Sequence, residues 1–259
     1  MLSFTDTQIL SAMHQWLWPF LRVGGFLLAA PFIGSKLVTK KARLVLAMLI
    51  ALVLAPLLPA PPAVEPLSAA GLYIGVMQLF VGAAIGLVLR LVQFIAEFTG
   101  QLIAMQMGLG FAAMMDPQTG AQVPVVSQFY LILLTLLFFA TNSHLLLIDL
   151  LARSFDLLPV GTQGISAAGI EIVMGWSASL LASGVMIALP IMVALLVVNL
   201  AFGVMARAAP QLNIFAVGFP ITILVGAAVM FVLVGRMSGQ FETAISAAFD
   251  TAYRVLEAR

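Results

Sequence analysis

The chain's two histidines, His14 and His144, lie 130 residues apart and show no metal-ligand spacing. Asp149, five residues after His144, is the one carboxylate close to either of them. Bis-histidine haem has nothing else in its favour, so both are read as packing or interfacial residues. A serine nucleophile would need a base beside it, and none is placed for one. There is no Gly-rich loop followed by Lys to cradle a phosphate. Cysteine is absent, which excludes disulfides and thiolate metal sites. The expectation is therefore a protein that is not an enzyme, with no metal and no cofactor. What remains able to act is a set of charges inside apolar runs (Arg90, Glu97, Asp149 and Arg153) and one unusual methionine-rich segment.

That segment lies at 105–122. Met105, Met107, Met114 and Met115 fall within eleven residues, with Phe111 among them. Methionine is flexible and fills irregular gaps, and Gly108 and Gly110 loosen the backbone. Asp116-Pro117-Gln118-Thr119-Gly120 is turn chemistry. A soft apolar segment of this kind could seal a pore, and it could equally be buried as ordinary core.

The elements that carry these residues must be helices in a membrane. The 259 residues are 63% hydrophobic and 8% charged, against about 25% charged in a soluble domain. Net charge is +1 and the one basic cluster is Lys36, Lys40, Lys41 and Arg43, which argues against nucleic acid as a partner. Met1 to Gln8 carries no positive charge, so a removable signal is not expected. Runs of apolar residues give six candidate spans: 9–33, 42–58, 67–98, 125–152, 165–206 and 212–235. Strands of a membrane barrel would alternate, and these runs do not. The fold class is all-α, a polytopic membrane protein of long, kinked helices. Residues 68–106 read as one helix about 58 Å long, and 165–209 would reach about 67 Å with a kink at Pro190. Both exceed a hydrocarbon core of roughly 30 Å, so each must tilt, break or leave the membrane. The basic cluster places the loop between the first two spans on the cytoplasmic side, and the proline-rich 59–66 loop outside.

Small and polar residues mark the helix faces. Gly71, Gly75, Gly82, Gly86 and Gly100 share one face, with Gln78, Gln93 and Glu97 on or beside it and Arg90 at its border. Such a face lets backbones approach closely, within this chain or against another subunit. Gln128, Thr135, Asn142 and Asp149 repeat at seven, and Arg153 follows Asp149 at the spacing of a helix ion pair, expected to be buried. Gly175, Ser179 and Ser183 repeat at four, as do Asn199, Gly203 and Arg207, and Gly218, Thr222 and Gly226. After Ser238 the tail is amphipathic, with Phe241, Ile245, Phe249, Ala252 and Leu256 on one face. Such a face suits a membrane surface or a neighbouring subunit, and docking on a subunit is favoured because the polar face is not basic.

The order and spacing of several motifs carry a family resemblance. Arg22…Pro31-Phe32-Ile33-Gly34 opens the chain. Glu97-x-x-Gly100, Gly108 and Asp116-Pro117-Gln118-Thr119-Gly120 stand at its centre, and Ser154-Phe155-x-x-x-Pro159-x-Gly161 follows. Pro190, Asn199, Gly203, Arg207, Pro210, Gln211, Asn213 and Pro220 complete the set. Together they resemble the FliR family, the R-subunit of the flagellar type III secretion export gate, from residue 1 to about 240. The resemblance implies a core subunit that assembles with P- and Q-type subunits into a channel for unfolded flagellar cargo proteins. It further implies contact with B- and A-type export components and with membrane lipids, in the bacterial inner membrane at the flagellar basal body.

By the same resemblance, residues 1–160 form a P-like half that includes the plug at 105–122, and 161–259 form a Q-like helical hairpin with the amphipathic tail. Arg207, Pro210, Gln211 and Asn213 would make the hairpin's cytoplasm-facing tip. Met105, Met107, Gly108, Gly110, Phe111, Met114, Met115, Asp116, Pro117 and Gly120 would form the pore plug. A secondary transporter for a small solute is the competing reading. It would need an internal repeat and an ion relay, and the sequence offers neither.

Overall fold

Capping residues and prolines set where the helices begin and end. The computed structural model describes residues 6–32, 34, 38–59, 62, 64–109, 125–209 and 214–258, with side chains from residue 15 in the first helix and from 217 in the last. Among these residues every regular element is helical: α1 (Asp6–Ala29), α2 (Lys40–Leu54), a short 3-10 turn (Ala55–Leu57), α3 (Ala69–Gln106), α4 (Val125–Ala140), α5 (Ser143–Leu157), α6 (Ala167–Ala208) and α7 (Ile214–Glu257). Thr39 caps α2 by accepting from the Ala42 N–H at 3.3 Å. Ser68 and Ser166 cap α3 and α6 in the same way, accepting from Gly71 N at 3.1 Å and Gly169 N at 3.0 Å. Pro56 turns the end of α2 into the 3-10 piece.

The two stretches too long for a simple span are unbroken helices. At 1.5 Å per residue, the 38 residues of α3 extend about 57 Å, and the 42 of α6, with Pro190 inside, about 63 Å. The last apolar run and the tail also form one helix, the 44 residues of α7. Gly235, Ser238 and Gly239 do not break it. Ser238 and Thr243 turn their hydroxyls back onto the Val234 and Gly239 carbonyls at 2.8 and 2.9 Å.

The segment 125–152 departs from its expected single span. It is broken between α4 and α5, where Asn142 takes a left-handed backbone at φ 55°. Asparagine tolerates that conformation better than other non-glycine residues, so the residue read as part of a polar heptad is the corner. Among the described residues three helices are long and apolar enough to cross a membrane (α3, α6 and the Val217–Glu257 part of α7), with α4 and α5 as a fourth if the broken pair is one span. α2, with 15 residues, reaches only about 22 Å. The apolar run of α1 is interrupted by Gln15, Pro19 and Arg22.

The chain divides into two compact units, each drawing on distant parts of the sequence. Unit 1 comprises Met1–Leu91, Asn142–Trp176 and Ile245–Arg259. Its core includes Val23, Phe26, Ile85, Leu150, Phe155 and Leu256. Unit 2 comprises Val92–Thr141 and Ser177–Ala244, with Ile95, Ile103, Tyr130, Ile191, Leu195 and Phe241 buried.

The amphipathic tail was expected to dock on another subunit, and here it packs on this chain. Ile245, Phe249, Ala252 and Leu256 are buried in unit 1, while Ser246, Asp250 and Arg254 stay exposed. Ser166 Oγ donates to the Ala258 carbonyl at 2.8 Å, which ties the start of α6 to the end of α7.

Candidate functional sites: a caged arginine and the seat of Met107

In unit 1 the glycine face of α3 is closed against α1. A methyl group at Gly82 would collide with the Arg22 carbonyl and the Phe26 amide. At Gly86 it would meet the Phe26 carbonyl. Gly75 faces Leu21 and Trp18, and Gly71 faces the Glu65 and Pro66 carbonyls. This part of the face therefore packs inside the chain, helix backbone on helix backbone.

That close approach brings the Arg22 side chain to Gln78 on α3. Arg22 is fully buried, and all of its donors are used. Nε and Nη2 both donate to Gln78 Oε1, the first at 2.8 Å. Nη1 donates to the Ser154 carbonyl at 2.7 Å and to Ser154 Oγ at 3.3 Å, and Nη2 to the Leu158 carbonyl at 2.7 Å. The Phe155 ring covers the guanidinium at 4.1 Å. No carboxylate bonds it among the described residues. The charge is balanced instead by the last carbonyls of α5, the negative end of the helix dipole, and by the ring's π face. Arg22 thus acts as a buried C-terminal cap for α5, which has no basic residue of its own in its last turn.

Sequence reading named Arg22 only as part of a motif. The available signal was its isolation: it is the only Lys, Arg, Asp or Glu between Asp6 and Lys36, in an apolar run.

Unit 2 is closed differently. Gly100 abuts the Ser127 backbone, and Ser127 Oγ donates to the Glu97 carbonyl at 2.9 Å. Thr99 Oγ1 donates to the Gly184 carbonyl at 3.2 Å. At the end of α3, Met107 is buried against Gly226, and its carbonyl accepts from Thr222 Oγ1 at 3.4 Å. Gly108 follows with φ 82°, beside the Phe219 ring. A glycine takes that backbone without strain. Met105 is 54% exposed. The remaining residues assigned to a plug, Gly110, Phe111, Met114, Met115, Asp116, Pro117 and Gly120, lie outside the described residues. So do Pro210, Gln211 and Asn213 of the expected hairpin tip, whose Arg207 is exposed.

Arg90 and Glu97 are exposed. Asp149 and Arg153 do pair, at 2.8 Å, and Tyr253 donates to Asp149 at 3.2 Å. That pair is not buried within this chain: its side chains are 46% and 63% exposed. Among the described residues no group of three His, Asp or Glu is placed to hold a metal.

These arrangements define a multi-pass helical membrane protein whose described polar groups hold helices and loops in register. Comparison with known proteins places that class. The family described as "Bacterial export proteins, family 1" matches residues 13–248. The chain is similar to the flagellar biosynthetic protein FliR of Escherichia coli (strain K12), 36% identical over 250 residues, covering 96% of this chain and 95% of that one. It matches FliR of Pectobacterium carotovorum subsp. carotovorum equally, 36% over 251 residues with 96% and 95% covered. FliR of Bacillus subtilis (strain 168) is 31% identical over 222 residues, 84% of this chain and 85% of that one. The chain belongs to the FliR family of bacterial export proteins. Nothing in these relatives supports the transporter reading.

Proposed function

We propose that this chain is the R-type core subunit of the flagellar export gate, a non-enzymatic part of the channel formed with P- and Q-type subunits. Its family makes it a component of the flagellar type III export apparatus, a multi-pass protein of the bacterial inner membrane at the basal body. The finer reading rests on one observation above all. α6 and α7 are about twice as long as a hydrocarbon core is thick, and within their most apolar windows only 28% and 22% of residues are buried by this chain.

Along α6, Gly175, Ser179, Ser183, Asn199, Gly203 and Arg207 are all exposed. Two small and polar stripes of that kind suit helix partners better than lipid tails. The division into a P-like half to residue 160 and a Q-like hairpin after it belongs to the same proposal. B- and A-type components would approach near Arg207, and unfolded cargo would pass the segment 105–122.

In this reading Met107 is the root of a plug, its carbonyl held by Thr222 and its flexible side chain resting on Gly226, and the residues beyond Gly108 close the pore by many weak apolar contacts. The test is to co-express the chain with P- and Q-type subunits, with and without residues 108–115. The deletion should leave a co-purifying complex of normal yield and make resting membranes leaky to small ions. A complex that never forms with the intact chain would overturn the subunit assignment. A tight membrane with the deleted chain would overturn the plug.

A further inference from the structure

The Arg22 cage spends nearly all of its acceptors on the guanidinium. Gln78 Oε1 takes two of its bonds. The Ser154 carbonyl takes Nη1 and also the Leu158 N–H, the latter at 3.0 Å. Ser154 Oγ accepts from Nη1 and donates to the Leu151 carbonyl at 2.7 Å. The Leu158 carbonyl, bonded by Nη2, keeps one lone pair among the described residues. Two donors of the same contact between α1 and α3 are left over. Gln78 Nε2 and Trp18 Nε1 have no hydrogen-bond partner among the described residues. Gln78 is fully buried and Trp18 is 1% exposed, so bulk water does not serve them. The two bonds from Arg22 fix the amide with Oε1 toward the guanidinium and Nε2 away from it, since the flipped amide would set N–H against N–H. Trp18 stands one turn before Arg22 on α1, and its ring lies beside Gly75, one turn before Gln78 on α3.

We propose that unit 1 binds one small monovalent anion, a halide such as chloride, on Gln78 Nε2 beside Arg22, with Trp18 Nε1 as a second donor. Two small acceptors compete for these N–H groups, water and a halide. A water brings two hydrogens of its own to a cage that offers one free lone pair, so it satisfies one donor by stranding another. A halide brings no hydrogen and accepts from any direction. Charge selects the same way. The end of the α5 dipole supplies about half a negative charge and the Phe155 ring face no net charge, so the balance they give Arg22 is partial. A monovalent anion completes it at short range in a dry interior. Oxyanions such as phosphate carry more lone pairs than these donors serve, and each lone pair left over is a buried acceptor without a partner.

Bromide is the probe. Cells are grown, and the complex extracted in detergent, with bromide in place of chloride, and the complex is then desalted into gluconate. Elemental analysis should find bromide in equal number to the copies of this chain. The melting temperature should be about 5 °C higher in chloride or bromide than in gluconate at equal ionic strength. Gln78→Glu sets a carboxylate against the guanidinium and removes the stranded N–H groups. It should lose the bromide and melt at one temperature in all three salts. A wild-type complex without bromide would overturn the site and leave water as the partner of Gln78. Bromide retained undiminished in Gln78→Glu would place the ion elsewhere and overturn it as well. Should that variant fail to assemble, anomalous scattering at the bromine edge from the wild-type complex decides alone: a peak beside Gln78 is expected, and peaks only elsewhere refute the site.

Discussion

In unit 1 Gly82 lies against the Arg22 carbonyl, and in unit 2 Gly226 lies against the Met107 side chain. Both glycines admit a close neighbour, but the neighbours differ in what they can yield. A backbone carbonyl inside a helix has nowhere to move, whereas a thioether changes rotamer at little cost. The polar groups follow the same division. Unit 1 encloses a full positive charge in a shell of fixed acceptors. The unit 2 hydrogen bonds named here join neutral groups, among them Tyr130 to the Met237 sulfur at 3.3 Å. The seat of Gly82 is built to hold a geometry, and the seat of Gly226 can adapt.

The largest effect should come from Arg22→Ala. It strands the Ser154 and Leu158 carbonyls and Gln78 without their donor and opens a void under Phe155, a loss of about 3–5 kcal/mol. Arg22→Lys should recover only part of it, because an ammonium lacks the planar fork. Protease resistance of the assembled protein in membranes is the readout. Near-normal resistance of Arg22→Ala would remove the argument that unit 1 is rigid.

A middle-sized effect sharpens the comparison directly. Gly82→Ala should destabilise by about 1–3 kcal/mol by overpacking two backbones. Gly226→Ala should cost less than about 1 kcal/mol, since Met107 gives way. Thermal stability of the two variants in one detergent would rank them, and a reversed order would undo the distinction.

The smallest effect belongs to Asp149→Ala. Its pair with Arg153 is exposed in this chain, so complex yield should be unchanged. A marked fall in yield would mean that another subunit covers the pair.

How much of this could be read from sequence depended on the kind of group involved. The glycine face of α3 was legible because side-chain identity at helical spacing carries it. The Asp149–Arg153 pair was legible for the same reason. The cage of Arg22 was not, because two of its acceptors are backbone carbonyls 132 and 136 residues away, and a carbonyl has no sequence signature. Asn142 misled because its polarity fitted a repeat while its tolerance of positive φ was the property in use. The tail was recognised as amphipathic, but periodicity says that a face is covered and not by what. The last apolar run and the tail after Ser238 were read separately, and α7 carries both as one helix.

The same long separation has a consequence in time. Arg22 is made early, and its last acceptor, the Leu158 carbonyl, is added 136 residues later. At about 5–20 residues per second of synthesis, that interval is roughly 7–27 s. For most of it Gln78, made 56 residues after Arg22, is the one partner of the cage already present, so the other donors of the guanidinium need water or lipid headgroups and α1 must wait near an aqueous boundary. α1, made before α5, thus reaches its final place only after it, and the arginine that later locks unit 1 is what holds it back until α5 has arrived.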